Sequence, residues 1–349
     1  METVWFCLVA VMIAVYVVLD GFDLGAGIIH LGVARTDRER RAVLASIGPV
    51  WDGNEVWLLA AGGTLYFAFP ALYAASFSGF YLPLMIVLWL LILRGISIEF
   101  RNHLVSPVWT PLWDVVFAGS SALLAIFFGA ALGNVVRGVP LDSTGFFFEP
   151  LWTNFRLGPA PGILDWYTIL VGLAAYLALA QHGALWVAHK TTGAVRLRAR
   201  VVAGWAWLGV LLFTAIVTAA TFRIQPQVPA NFAAHPWGLV FPVLAVAGLI
   251  GIRWLLRRDD SDRMLFFASC AYLLGMLTSV VFGLYPYVLP ASANPAYALT
   301  VHNSKAGAYG LRIGLIWWTF GIILAAGYFI FLYHHTAGRV GAPSDGEHP

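Results

Sequence analysis

Apolar runs long enough to cross a hydrocarbon core of about 30 Å recur near residues 4–33, 76–98, 114–136, 164–188, 201–222, 237–256, 264–289 and 311–333. Segments of this kind must satisfy their backbone polar groups internally, which restricts them to helices. Composition agrees, because 60% of the 349 residues are apolar and 11% are charged, against about 25% charged in a soluble domain. A ninth candidate, 46–70, carries Asp52 and Glu55 near its start and escapes a strict hydropathy window.

Loop charge sets the count. With nine spans, Arg35, Arg38, Arg40, Arg41, Arg101, Lys190, Arg196, Arg198, Arg200, Arg257, Arg258 and Arg263 fall on one side. Arg137, Arg156, Arg223 and Lys305 fall on the other. The positive-inside rule then puts the N-terminus outside and the C-terminus in the cytoplasm of a bacterial inner membrane; eight spans would scatter the clusters. The expected fold is therefore all-α and polytopic, with two four-helix groups and a peripheral helix. The first group covers 1–137, an outer loop 138–162, the second group 163–337, and a disordered cytoplasmic tail 338–349. Glu2 stands where a signal peptide would be basic, so the first run reads as a retained helix. A net charge of +3, with the basic residues in short clusters, points to no nucleic-acid partner. Cys7 and Cys270 lie inside apolar runs and read as buried hydrophobes.

Carboxylates at membrane depth mark function by default, since even mild insertion scales charge about 2.5–3.5 kcal/mol for an Asp at a helix centre. Asp20 and Asp23 are spaced for one helical face, and so are Asp52 and Glu55. At about 1.5 Å per residue, Asp20, Asp23 and Asp52 reach similar depth in the cytoplasmic half, where they are expected to form one acidic cluster suited to relaying protons. The alternative for Asp52 is to complement the helix dipole just after Pro49, and for Glu55 to reach water. Arg94 is the candidate charge partner, either pairing with one of these acids or snorkelling to the surface. Gly21, Gly25 and Gly27 read as a packing face. His182 reads as a histidine held in a helix contact, with haem ligation as the rival. No metal-ligand or nucleophile motif is present. Gln181-His182-Gly183 occupies the second group much as Asp20 to Asp23 occupies the first, a hint of duplication. The segment 285–303, rich in proline and aromatics, reads as an interfacial loop or a surface for a partner subunit.

Four blocks carry a resemblance: Asp20 to Gly27; Gly48 to Trp57, continuing to Gly63; His182-Gly183-Ala184 with Lys190-Thr191 and Arg198-Ala199-Arg200; and Phe282 to Tyr297. In order and spacing they resemble subunit II of the cytochrome bd-type quinol oxidases over nearly the whole chain. The resemblance implies a nine-helix subunit that binds no cofactor itself, beside a larger subunit I holding the b and d haems and the quinol-oxidising loop. It further implies proton delivery through Asp52 and an oxygen route past Trp57, with lipid, quinone and small accessory subunits as further partners. Glu55 stands where other members carry Gln, so its ionisation is not essential to the family's chemistry. The expected function is a share in oxygen reduction to water in aerobic respiration, with no activity in isolation. Its rivals are a stand-alone proton-coupled transporter and a haem carrier through His182.

Overall fold

The computed structural model describes residues 1–104, 106–158 and 161–340. The tail expected from Gly338 lies, from residue 341 on, outside the described residues. Twelve α-helices run in chain order: α1 Glu2–Val33, α2 Asp37–Ile47, α3 Trp51–Ala68, α4 Pro70–Gly79, α5 Tyr81–Phe100, α6 Trp109–Arg137, α7 Trp166–Lys190, α8 Gly193–Ile224, α9 Gln227–Ala234, α10 Val240–Leu255, α11 Asp262–Leu284 and α12 Ala308–His335. Strands β1 Tyr287–Leu289 and β2 Leu299–Thr300 pair antiparallel, a two-strand ribbon in an otherwise all-α chain.

Among the described residues eight helices are long and apolar enough to cross a membrane: α1, α5, α6, α7, α8, α10 with the turn before it, α11 and α12. The ninth crossing expected from the sequence falls on α3, which is not among these eight. It runs antiparallel to α1, with Phe67 against Trp5, Thr64 at Met12 and Asn54 at Asp23. Its 18 residues give a rod of roughly 27 Å. The apolar run expected at 46–70 is thus broken at both ends. Residues 46 and 47 belong to α2, which opens with a capping box between Thr36 and Glu39. Pro70, which lacks an amide hydrogen, starts α4 rather than extending α3. The run expected to reach 289 stops at Leu284, because the chain turns through Tyr285-Pro286 into β1.

Helix α3 packs on α1, α5 on α6, α8 and α11 on α7 and α10 on α11, and α12 lies along the outside of α1 and α3. Nothing in the most apolar stretch of α12 is buried within this chain. Both α1 and α6 pack on α7. A Cβ on Gly25 would stand 2.0 Å from the Leu179 carbonyl oxygen, and one on Gly183 would stand 2.1 Å from the Gly25 carbonyl carbon. Gly129 and Gly133 of α6 approach the α7 backbone at Gly172 and Thr168 in the same way. Small residues are what permit such contact between helices in lipid. Successive transits alternate in direction, so the loops carrying most of the arginines gather at one end of the bundle, here termed the basic end.

Because backbone rather than a flexible side chain would meet the added carbon, Gly183→Val is expected to abolish stable accumulation of the protein in the membrane. Gly32→Ala, in open space on the same α1, is expected to leave accumulation and thermal melting unchanged. Equal accumulation of the two variants would remove the α1–α7 contact from its structural role.

Candidate functional site

Two-thirds of the way along α5, Arg94 is fully buried and turned toward α1. Its Nη1 donates to Asp20 Oδ2 at 3.0 Å and its Nη2 to Asp20 Oδ1, a two-pronged pairing that matches the carboxylate. Snorkelling is thereby replaced by pairing. The guanidinium meets an acid at its own depth and need not reach water. Burying either charge alone would cost several kcal/mol, so each residue is the other's condition for being there. Tyr16, one turn before Asp20 on α1, keeps its hydroxyl buried beside this pair.

Asp23 does not touch Arg94. Its Oδ2 accepts from Asn54 Nδ2 at 2.7 Å, and Asn54 Oδ1 accepts from the Tyr333 hydroxyl at 2.8 Å. This string joins α1, α3 and α12. The other oxygen of Asp23 is buried without a donor among the described residues. Sequence reasoning passed over Asn54 and Tyr333. The available signal was the stripe Asn54, Trp57, Ala61, Ala68, which is the buried face of α3.

That stripe also separates the acids of α3. Asp52 lies off it and is exposed on the outer face, so it does not join Asp20 and Asp23 in a single cluster. Helical rotation is the reason: at about 100° per residue, Asp52 and Asn54 point to different sides. Glu55 is half-buried and within electrostatic reach of Asp52 on one side and of Arg94 and Asp20 on the other. The four acids therefore form a graded series from the surface of α3 inward.

A second network closes the basic end. Asp114 of α6 is buried, and its Oδ1 accepts from His30 Nε2 at 2.8 Å and Arg101 Nε at 2.6 Å, while Oδ2 accepts from Arg40 Nη1 at 2.9 Å. Arg101 Nη2 also donates to Asp37 Oδ1 at 2.7 Å. Although partial burial opposes it, pairing with Arg101 and Arg41 holds the Asp37 carboxyl below the usual range. This network ties α1, α2, α5 and α6 together, and none of it was singled out from the sequence. Asp114 stands at the start of the apolar run 114–136, and its partners come from other elements. Beside it opens a cleft of about 1080 Å³ lined by Asp37, Arg40, Trp51, Glu99 and Arg101. Trp51 of its lining also lies against Gly95, next to Arg94.

Trp57 stands on the buried stripe at 9% exposure, its Nε1 without a partner among the described residues. It lines an apolar cleft of about 570 Å³ between α1, α3 and α12 with Trp5, Met12, Phe67, Trp318 and Phe329. His182 is fully buried. Ser269 Oγ lies 2.7 Å from its Nδ1 and the Val18 carbonyl oxygen 2.9 Å from its Nε2. Both ring nitrogens are engaged, so iron ligation would require breaking one of these contacts. Among the described residues no group of three or more His, Cys, Asp or Glu side chains is placed to hold a metal ion.

A family profile described as cytochrome bd terminal oxidase subunit II matches residues 1–336. The chain belongs to that family. This subunit II chain is 31% identical to the probable cytochrome oxidase subunit 2 of Haemophilus influenzae, over 97% of its own length and 95% of the relative's. It is 31% identical to the cytochrome bd ubiquinol oxidase subunit 2 of Bacillus subtilis, covering 90% and 89% of the two chains. With the cytochrome bd-I ubiquinol oxidase subunit 2 of Escherichia coli K12 it shares 28% identity, covering 89% and 87%. Its fold matches a chain of the bd oxidase from Geobacillus thermodenitrificans with a TM-score of 0.74 at 16% identity, over 96% of this chain and 98% of that one.

Removing one partner of a buried ion pair strands the other, so Arg94→Leu is expected to destabilise the subunit II chain by about 3–5 kcal/mol. Adding Asp20→Leu should return more than half of the loss. Unfolding titrations of the single and double variants measure this, and additive losses would show that the two charges are not coupled.

Proposed function

We propose that this chain works as the haem-free subunit II of a bd-type terminal quinol oxidase, in a complex that oxidises quinol and reduces oxygen to water. The haem-bearing subunit I would supply the b and d haems and hence the electron transfer and oxygen chemistry. The subunit II chain would cover part of that partner's apolar surface and add a proton route. Support comes from the family match and from one geometric observation: the graded series of acids runs from an exposed carboxylate on α3 to buried ones on α1.

Within this reading the acids have different tasks. Asp20 is held on both oxygens by Arg94 and serves as a fixed counter-charge that anchors α5 to α1. Asp23, with one oxygen lacking a donor among the described residues, is the buried carboxyl free to exchange a proton. Asp52, exposed on α3, receives protons from the basic end and faces the partner. Glu55 bridges the two depths without being indispensable. The apolar cleft past Trp57 offers oxygen a path from the lipid. Orientation follows the arginine-rich loops, with the N-terminus outside and the basic end in the cytoplasm.

Asp52→Asn is expected to leave the complex assembled with its haems visible and to lower turnover roughly tenfold or more, in the range set by loss of a proton-transfer group. Asp23→Asn should act likewise, whereas Glu55→Gln should stay near the parent rate. Unchanged oxygen consumption in both Asp variants would sink the proton route, and failure to assemble would point to a structural role. Reporter fusions at Asp142 and after Thr336 should report opposite sides of the membrane, with the Asp142 fusion outside. A single side for both would overturn the nine-transit arrangement.

A further inference from the structure

The end of the bundle opposite the arginine-rich loops holds a third buried ionic group, lying outside the proton route. Arg137 closes α6 with its side chain 4% exposed, and it donates to Glu149 Oε1 at 2.7 Å, to Asp165 Oδ2, and to Asn134 Oδ1 at 2.7 Å. It also donates to the carbonyls of Gly138 and Gly162, each at 3.1 Å. One guanidinium thus gathers the end of α6, the N-cap of α7 and the middle of the connecting loop. Both carboxylates are about 1% exposed. Ionised together, they leave the enclosed group with one negative charge in excess, which burial penalises.

The geometry decides which acid relieves that excess. Asp165 is richly supplied: its Oδ1 accepts the backbone amides of Tyr167 and Thr168 as the cap of α7, and its Oδ2 takes Arg137. Hydrogen bonds of this kind favour the charged form. Glu149 has Arg137 on one oxygen only, and its Oε2 is buried without a partner among the described residues. The proton therefore belongs on Glu149. The charged groups facing it are Arg137 from α6 and Asp165 from α7, while the Pro290 segment packed on Gly138 contributes none.

Glu149 is also placed to act on the chain around it. Just beyond it, Pro150, Leu151 and Phe155 accept the amides of Ile163, Leu164 and Trp166, folding the loop back on its own exit. Phe147, two residues before it, packs against Gly79 and Phe80 at the end of α4. Around these anchors the side chains of Phe146, Phe148, Trp152 and Phe155 are exposed. We propose that Glu149 is a proton-operated latch: protonated, it seats the loop segment 142–158 on Arg137, and on losing its proton it lets that segment lift.

The sign follows from linkage. Burial, outweighing the attraction of Arg137, pushes the Glu149 carboxyl up from 4.5 to about 7. A carboxyl raised in the seated state stabilises that state at low pH, and the contribution is lost as pH rises through the higher value. The seating constant should then fall roughly tenfold between about pH 6 and about pH 8.5.

Limited trypsin digestion of the complex purified in detergent tests this, because exposed Arg156 lies in the latched segment and exposed Arg257 lies at the opposite end. The ratio of cleavage at Arg156 to cleavage at Arg257 cancels the protease's own pH dependence. In the parent this ratio should rise by roughly tenfold from about pH 6 to about pH 8.5. In Glu149→Gln, which keeps an acceptor for Arg137 but cannot ionise, it should stay low and flat. A flat ratio in the parent, or an equal rise in the variant, overturns the latch. If the variant does not assemble, amide hydrogen exchange at Ile163 and Leu164 in the parent, corrected for intrinsic rates, decides. Acceleration with a midpoint near neutrality supports the latch, and pH-independent protection overturns it.

Discussion

The pairing of Arg94 with Asp20 sets the terms for the rest of the bundle. Neither charge is tolerable alone at membrane depth, and together they fix α5 against α1 at one register. That register brings α3 alongside α1 with Asn54 facing Asp23, and it lets the ring of Trp51 lie over Gly95. The glycine contact at Gly25 and Gly183 then presses α1 onto α7, within two helical turns of the ion pair. A polar interaction and a close backbone contact thus hold the same short stretch of α1.

Three of the buried ionic groups stand at three levels, and each solves the cost of burial differently. At the basic end Asp114 is surrounded by Arg40, Arg101 and His30, an excess of donors that suits a carboxylate. In the middle Arg94 and Asp20 balance one to one. At the far end Arg137 serves two acids, an arrangement short of positive charge. The first two match each acid with base without a bound proton, whereas the third, on the latch proposal, is balanced by one. A carboxyl with an oxygen lacking a donor occurs in the middle, at Asp23, and at the far end, at Glu149.

Much of the fold was legible in the sequence, because apolar runs and loop arginines are one-dimensional signals. The eight long apolar helices and the family resemblance needed nothing more. Level along the bundle was legible too, since it scales with residue number along a helix and Asn54, two residues after Asp52, meets Asp23. Azimuth was not. On α3 the polar residues Asp52, Asn54 and Glu55 crowd the first turn and blur the apolar stripe, so the sequence favoured Asp52 as the neighbour of Asp23 where Asn54 stands. Arg94 was ambiguous because pairing and snorkelling depend on which face of α5 meets α1. The partners of Asp114 and Arg137 come from distant parts of the chain, and no local spacing announces them. Short helices such as α2 and α9 were missed as well, lying in segments that read as loops.

The exposed faces of α3 and α12, with Asp52 among apolar side chains, give the chain a reason to be one half of an assembly. The central claim is that its charges shape and feed a partner's redox centre and hold none themselves. The most direct measurement is a reduced-minus-oxidised optical spectrum, with oxygen consumption, of this chain expressed and purified without subunit I, set beside the co-expressed pair. Haem bands and quinol oxidation are expected only in the pair. A stoichiometric haem signal or oxidase activity from this chain alone would contradict it.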